Sequence, residues 1–174
     1  MKTSFRPMLS ALRAAWAAPL LAGALAAQAQ PVATFHLPPG TTNPSYSEAV
    51  EVKGAGLSTL YVSSLVPAVA DPTAAKEARA YFGDMQVQTD GLLKRLKALL
   101  ERRGYSLRDV VKVNVYLVGD PARGHQVDNE GFNAAYARHF GTAEVPTLPA
   151  RTRITAAGLT NPAWLIALDV VAAR

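Results

Sequence analysis

Reactive side chains are few in the last two dozen residues, which makes the cation Arg151 conspicuous. It sits in the run Pro149-Ala150-Arg151-Thr152-Arg153-Ile154, ahead of a turn-like GLTNPAW and a strand-like LIALDVVAA. A guanidinium offers a carboxylate two parallel N–H donors, a geometry an ammonium cannot match. Arg151 at the mouth of this terminal strand pair therefore suits a grip on a small carboxylate, the plainer alternative being a surface or interfacial ion pair. Other chemistries find less support. His36, His125 and His139 lie far apart with no HxxxH or HxH spacing, so a metal site would have to assemble purely by folding. Gly54 and Gly56 form only a GxG, short of a dinucleotide loop. No GxSxG occurs, and Ser63-Ser64 falls on a strand without a base nearby in sequence. Asp128 and Glu130 precede a helix, where stabilisation of its start explains them. With no Cys, neither a thiolate nucleophile nor a thiolate metal site is available, and export would demand no disulfide.

Few elements are needed to position these residues. Val87, Leu92, Leu93, Leu96, Leu99 and Leu100 recur at helical spacing, Gly104 is placed to stop the helix, and Arg102-Arg103 suit its last turn. Upstream, EAVEVKG and LSTLYVSSLVP read as two strands joined at Gly54-Ala55-Gly56. ADPTAAKEARAYFGD reads as a loop with at most a turn of helix. VVKVNVYLV is rich in β-branched residues and reads as a strand. Simple alternation puts Val111, Val113, Val115 and Leu117 on one face, with Val110, Lys112, Asn114, Tyr116 and Val118 on the other. Both faces want partial cover, one from helices and the other from a second subunit or sheet. GFNAAYARHFG reads as a second helix, with Phe132, Ala135, Tyr136, His139 and Phe140 in one stripe and His139 at its surface. The order strand, strand, helix, strand, helix, strand, strand predicts an α+β sandwich with its helices on one face of the sheet.

At 174 residues the chain has the length of one domain. Lys2, Arg6 and Arg13 precede AAWAAPLLAGALAA, an apolar run of signal-peptide rather than membrane-spanning length, and Ala27-Gln28-Ala29 offers small residues to a signal peptidase. The expected organisation is a signal peptide at 1–29 cleaved after Ala29, a Pro-rich lead at 30–43, and a single domain at 44–174. The mature protein is then periplasmic or secreted and free of the membrane. An uncleaved anchor and a fold helix are the alternatives, Pro19 and Pro31 disfavouring the helix. Loss of the leader's three basic residues takes the formal charge from +5 to +2. Nucleic acid would call for a basic face with stacking aromatics, so no nucleic-acid partner is expected; KRLKALLERR reads as the solvated side of a helix.

In order and spacing, YSEAV (46–50), LYVSSLVP (60–67), GDMQVQT (83–89), the stretch 92–120, FNAAYARHFG (132–141), VPTLPAR (145–151) and the final strand resemble the Rid family. These are the RidA/YjgF-like reactive-intermediate deaminases, also labelled endoribonuclease L-PSP. The resemblance spans about Pro44 to the C-terminus. It implies a chorismate-mutase-like fold, a mixed sheet with two helices on one face, and a homotrimer with ligand sites between subunits. It also implies hydrolysis of enamines and imines such as 2-aminoacrylate to a 2-keto acid and ammonia. No cofactor is implied, because the imine carbon is already electrophilic. Arg151 matches the family's carboxylate-binding Arg in its PAR motif. Tyr46, Ser63 and Asn133 match family positions near the ligand, with a packed aromatic, a strand residue and a helix cap as their respective structural alternatives.

The departures from the pattern bear on chemistry. Where the family carries a Glu that orients the attacking water, one inserted residue in the turn places Ala167, and Asp169 takes the next acidic position. Asp169 is expected diagonally across a hairpin from Arg151, either substituting for the Glu or pairing with Arg151. Ser64-Leu65 replaces a Gly-Gln. Arg153 shares the strand face of Arg151 where many members have a small residue, so it favours a dicarboxylate or phosphate-bearing ligand or forms an interfacial ion pair. The loop from Pro67 to Phe82 is longer than usual. Two functions follow: an exported imine hydrolase anchoring substrate on Arg151, or a non-catalytic trimer that binds a small carboxylate in the same cleft.

Overall fold

A computed structural model describes residues 32–42, 45–76 and 78–174. The expected leader and cleavage point at 1–29 lie outside the described residues. The elements are β1 (Val32–His36), β2 (Ala49–Gly54), β3 (Leu57–Leu65), α1 (Arg79–Phe82), α2 (Met85–Arg102), β4 (Val110–Leu117), α3 (Asn129–Tyr136), β5 (Ala150–Thr155) and β6 (Ile166–Ala173). Ala55 and Gly56 join β2 to β3 with φ of 50° and 79°. Two positive φ values in a two-residue loop match the twist of the strands it connects, and Gly56 accepts its value without strain.

α2 begins where the Asp84 carboxylate accepts from Val87 N at 2.9 Å, closing one orphan donor of the first turn. It buries Leu92, Leu93, Leu96, Leu99 and Leu100 against the sheet. Each such side chain contributes about 1.5–3 kcal/mol on leaving water. Gln88 is fully buried on the same helix. Its amide donates to the carbonyls of Gly83 and Ala163 at 2.9 Å each and accepts from Leu165 N at 2.7 Å. This one side chain pins the chain leading into β6 onto α2, with its own polar atoms satisfied.

The six strands lie in the order β1-β2-β3-β6-β4-β5, and β4–β5 is the parallel pair. β4, α3 and β5 thus form a βαβ unit with α3 crossing the sheet face that α2 also covers. The expected hairpin between the last two strands does not form, because β4 stands between β5 and β6. A tight hairpin needs a loop of two to five residues. The segment 156–165 is longer and passes the end of β4, where Ala156 N bonds Leu117 O and Val118 N bonds Leu165 O at 2.8 Å each.

Two further differences from the sequence reading are local. The supposed lead contains β1, which pairs antiparallel with β2 from Val32↔Lys53 to His36↔Ala49 and forms one edge of the sheet. On β4 the register against β6 slips between Val110 and Lys112. That irregularity turns Val110 inward and leaves Val111 47% exposed, reversing the two faces expected for this pair. Beyond it the alternation holds: Val113, Val115 and Leu117 are buried on the helix side, and Lys112, Asn114 and Tyr116 are half-buried on the other.

Candidate functional site on the arginine strand

β5 is the second edge of the sheet, and all of its residues are exposed. Its register, Val113↔Arg151 and Val115↔Arg153, places both arginines on the helix side, alongside buried positions of β4. α3 lies beneath them. Its start is fixed by Asp128, whose carboxylate accepts from Gly131 N at 3.0 Å, as expected for an acid at a helix start. Asn133 is the fifth helical residue, not the cap, and its side chain is turned to β5. Phe132 and Tyr136, one turn apart, are buried together with their rings 5.5 Å apart.

The arginines rest on this aromatic pair. The Arg151 guanidinium lies 4.5 Å from the Tyr136 centroid and 5.3 Å from that of Phe132, and the Arg153 guanidinium lies 5.3 Å from the Phe132 centroid. Such stacking is worth about 0.5–1 kcal/mol where exposed, and it holds a long side chain in one orientation. Burial pushes the Tyr136 hydroxyl above its ordinary pKa, and the Arg151 charge opposes that shift. Arg153 donates to Asn129 Oδ1 at 2.7 Å and to Asn133 Oδ1 at 3.3 Å. Among the described residues no carboxylate pairs with either arginine.

The other site residues lie elsewhere. Asp169 is on the opposite face of the sheet, where it accepts from Asn114 Nδ2 at 2.8 Å and from Tyr116 Oη at 3.1 Å. This corrects the expected diagonal approach to Arg151: β4 intervenes, and the two side chains leave the sheet in opposite directions. The carboxylate's hydrogen bond and then its charge, with some burial, push the Tyr116 hydroxyl pKa up. Ala167 is buried beside Tyr116 in the ladder. Ser63 sits at the irregular end of β3, its hydroxyl donating to Ser47 O at 2.6 Å, next to the 59%-exposed Tyr46. β3 and β5 are three inter-strand spacings apart, roughly 14 Å. Within one chain the named residues thus form three groups: Arg151, Arg153 and Asn133; Asp169; and Tyr46 with Ser63.

His139 follows α3 and is held by Asp90 at 2.9 Å, together with Lys94 and Arg138. Burial raises the Asp90 pKa, but these three partners outweigh it and hold the carboxyl at about 2. Among the described residues no cluster of three or more His, Asp or Glu could hold a metal ion, and no helix is long and apolar enough to cross a membrane. Sequence reasoning missed Asn129, the partner of Arg153, and the ring platform of Phe132 and Tyr136. The i, i+4 spacing of Asn129 with Asn133 was the available signal. It also missed Asn114 and Tyr116, whose alternation with Asp169 became visible only once β4 and β6 were paired.

A six-stranded mixed sheet with helices on one face and an arginine-bearing edge strand defines the class, an α+β domain of the YjgF type. The Endoribonuclease L-PSP family model matches residues 39–174. The chain belongs to this family, which is the RidA/YjgF family. A RutC family protein of Pyrococcus horikoshii is 33% identical over 129 residues, 73% of this chain and 85% of that protein. A solved structure from Thermotoga maritima is 30% identical, covers 77% of this chain and 89% of its own, and has a TM-score of 0.55. A YjgF-family protein of Mycobacterium tuberculosis shares the fold at 22% identity, with coverage of 81% and 98% and a TM-score of 0.55.

Proposed function

We propose that this protein is an exported hydrolase of small 2-imino and enamino acids, working in a homotrimer at sites between subunits. The single observation that carries the reading is Arg151, an exposed guanidinium steadied over Tyr136 and Phe132 with no carboxylate of the described chain to neutralise it. A charge that is pre-oriented and left unpaired is suited to capturing an anionic ligand. An enamine first tautomerises to the imine, gaining a proton at its β carbon and losing one from nitrogen; water then adds to the imine carbon while the nitrogen gains a proton. The carbon–nitrogen bond of the resulting carbinolamine then breaks, releasing ammonia and, after loss of the hydroxyl proton, the 2-keto acid. Arg151 holds the substrate carboxylate, and proton movement falls to groups around the carbon. The separation of Tyr46 and Ser63 from Arg151 supports an inter-subunit site, since residues roughly 14 Å apart in one sheet can converge only across two copies. A contribution from Asp169 to a ligand held on Arg151 would likewise have to come from another copy.

One observation favours a second reading, a non-catalytic trimer that binds a small carboxylate. The position expected to orient water is the buried, aliphatic Ala167. Hydrolysis of freshly generated 2-aminoacrylate and bulkier imino acids by the processed protein separates the two. Measurable turnover that Arg151→Ala abolishes supports the hydrolase. Binding without turnover, with hydrolysis appearing only in Ala167→Glu, supports the binder. Turnover equal in wild type and Arg151→Ala would remove Arg151 from the mechanism. Fractionation of producing cells tests export: the shortened chain outside the cytoplasm is the expected result, and only the full-length chain inside it would refute export.

A further inference from the structure

Among the described residues five arginines pair with a carboxylate, while Arg95, Arg108 and Arg174 donate to backbone carbonyls. Asp120 holds Arg79, Glu48 holds Arg102 and Arg103, Asp90 holds Arg138, and Asp128 faces Arg123. Arg151 and Arg153 differ from both groups in facing one shared aromatic ring from the same strand. They project from one face of β5, a two-residue rise of about 6.6–7 Å apart along the strand. Both guanidinium carbons lie 5.3 Å from the centre of the same Phe132 ring, which bounds their separation at about 11 Å. Arg153 is oriented by two amide oxygens, Asn129 Oδ1 and Asn133 Oδ1, neither of which carries charge. Two of its five N–H donors are so occupied and three remain. Amide partners fix the direction of the side chain and leave its charge available, which a carboxylate partner would not.

We propose that Arg151 and Arg153 form a two-point clamp selecting a dicarboxylic imino or keto acid of the four- to five-carbon class. The proposal rests on the reading of Arg151 as a carboxylate anchor and assigns the second carboxylate to Arg153. The dimensions agree. A bidentate pair puts a carboxylate carbon about 4 Å from its guanidinium carbon, and the carboxyl carbons of such a diacid are about 4–5 Å apart. A bent arrangement fits guanidinium carbons that the shared ring keeps within about 11 Å of each other. Stacking on Phe132 keeps both heads over α3 and narrows the set of conformations the ligand must order.

Calorimetric titration of the purified protein with 2-oxobutyrate, 2-oxoglutarate and inorganic phosphate tests the clamp. The diacid should bind about ten-fold more tightly than the monoacid. In Arg153→Gln, which is shorter and drops the charge, that preference should fall to about one through a loss of diacid affinity much larger than any change for the monoacid. Arg153→Lys should keep part of the preference, since the charge survives without the planar fork. Equal binding of both keto acids by wild type, untouched by Arg153→Gln, would overturn the clamp and leave the anchor standing. Affinities unchanged in Arg151→Ala would overturn the anchor as well. Phosphate binding as tight as 2-oxoglutarate would overturn the assignment to a diacid.

Discussion

The two faces of the sheet handle charge in opposite ways. On the helix side Arg151 and Arg153 are laid over Phe132 and Tyr136, their charges unmatched by any described carboxylate. On the open side Asp169 accepts from two neutral donors, Asn114 and Tyr116, and lies near the buried Ala167. One face holds two cations that no described carboxylate pairs; the other holds an anion bonded to two neutral donors. Within one chain Arg151 and Asp169 are therefore separated by the thickness of the sheet.

The strongest way to break the comparison is to remove the floor of the helix side. Phe132 is fully buried under both guanidinium groups. Phe132→Ala should lose about 3–5 kcal/mol of stability in urea unfolding and should weaken keto-acid binding even at temperatures where the variant remains folded. Preserved affinity would show that the ring platform does not orient the arginines. A smaller loss is expected at Gln88, where Gln88→Leu keeps the bulk but strands the carbonyls of Gly83 and Ala163 and the Leu165 amide. The loss should be about 1–3 kcal/mol by the same assay, with binding at Arg151 largely retained because Gln88 anchors the approach to β6 and not β5.

Two pH experiments probe finer differences. The Asp90 carboxyl, held at about 2 by Lys94, His139 and Arg138 against the effect of burial, contributes stability that is present above its unfolded pKa near 3.9 and lost as pH falls through about 2. Asp90→Asn should flatten the acid limb of stability between roughly pH 4 and 2, and an unchanged limb would show that these pairs add nothing. On the open face, Asp169 raises the pKa of Tyr116. That contribution to stability is complete below the unfolded tyrosine pKa of about 10 and disappears as pH rises through the folded value. Asp169→Asn should move one tyrosine's ultraviolet titration to lower pH, and an unmoved transition would break the assignment.

Legibility in the sequence followed the range of the interactions. α2 was plain because its leucines repeat at the helical period and Gly104 ends it; the β2–β3 turn was plain because Gly54 and Gly56 flank the single residue Ala55 between two strand-like runs. These are short-range signals. β1 was hidden among prolines because an edge strand with both faces open carries no buried alternation. The insertion of β6 between β3 and β4 was hidden because strand order is decided by long-range pairing, and chain adjacency favoured a β5–β6 hairpin instead. The same limit governed the site. Arg153 and Asn133 could be named and do meet, and Arg151 shares the Phe132 ring with Arg153, since a short βαβ unit brings β5 over α3. Asp169 could be named but not placed, because its face depends on which strand it pairs with, and the irregularity at Val110–Lys112 altered the faces of β4 as well.

The central claim is that Arg151 is a carboxylate anchor. It is tested most directly by titrating 2-oxobutyrate into wild type and Arg151→Ala at moderate ionic strength. Loss of a bidentate, charge-assisted pair should weaken binding by about 30- to 100-fold, with the fold unchanged because the side chain is exposed at a sheet edge. Equal affinities in the two proteins would contradict the account.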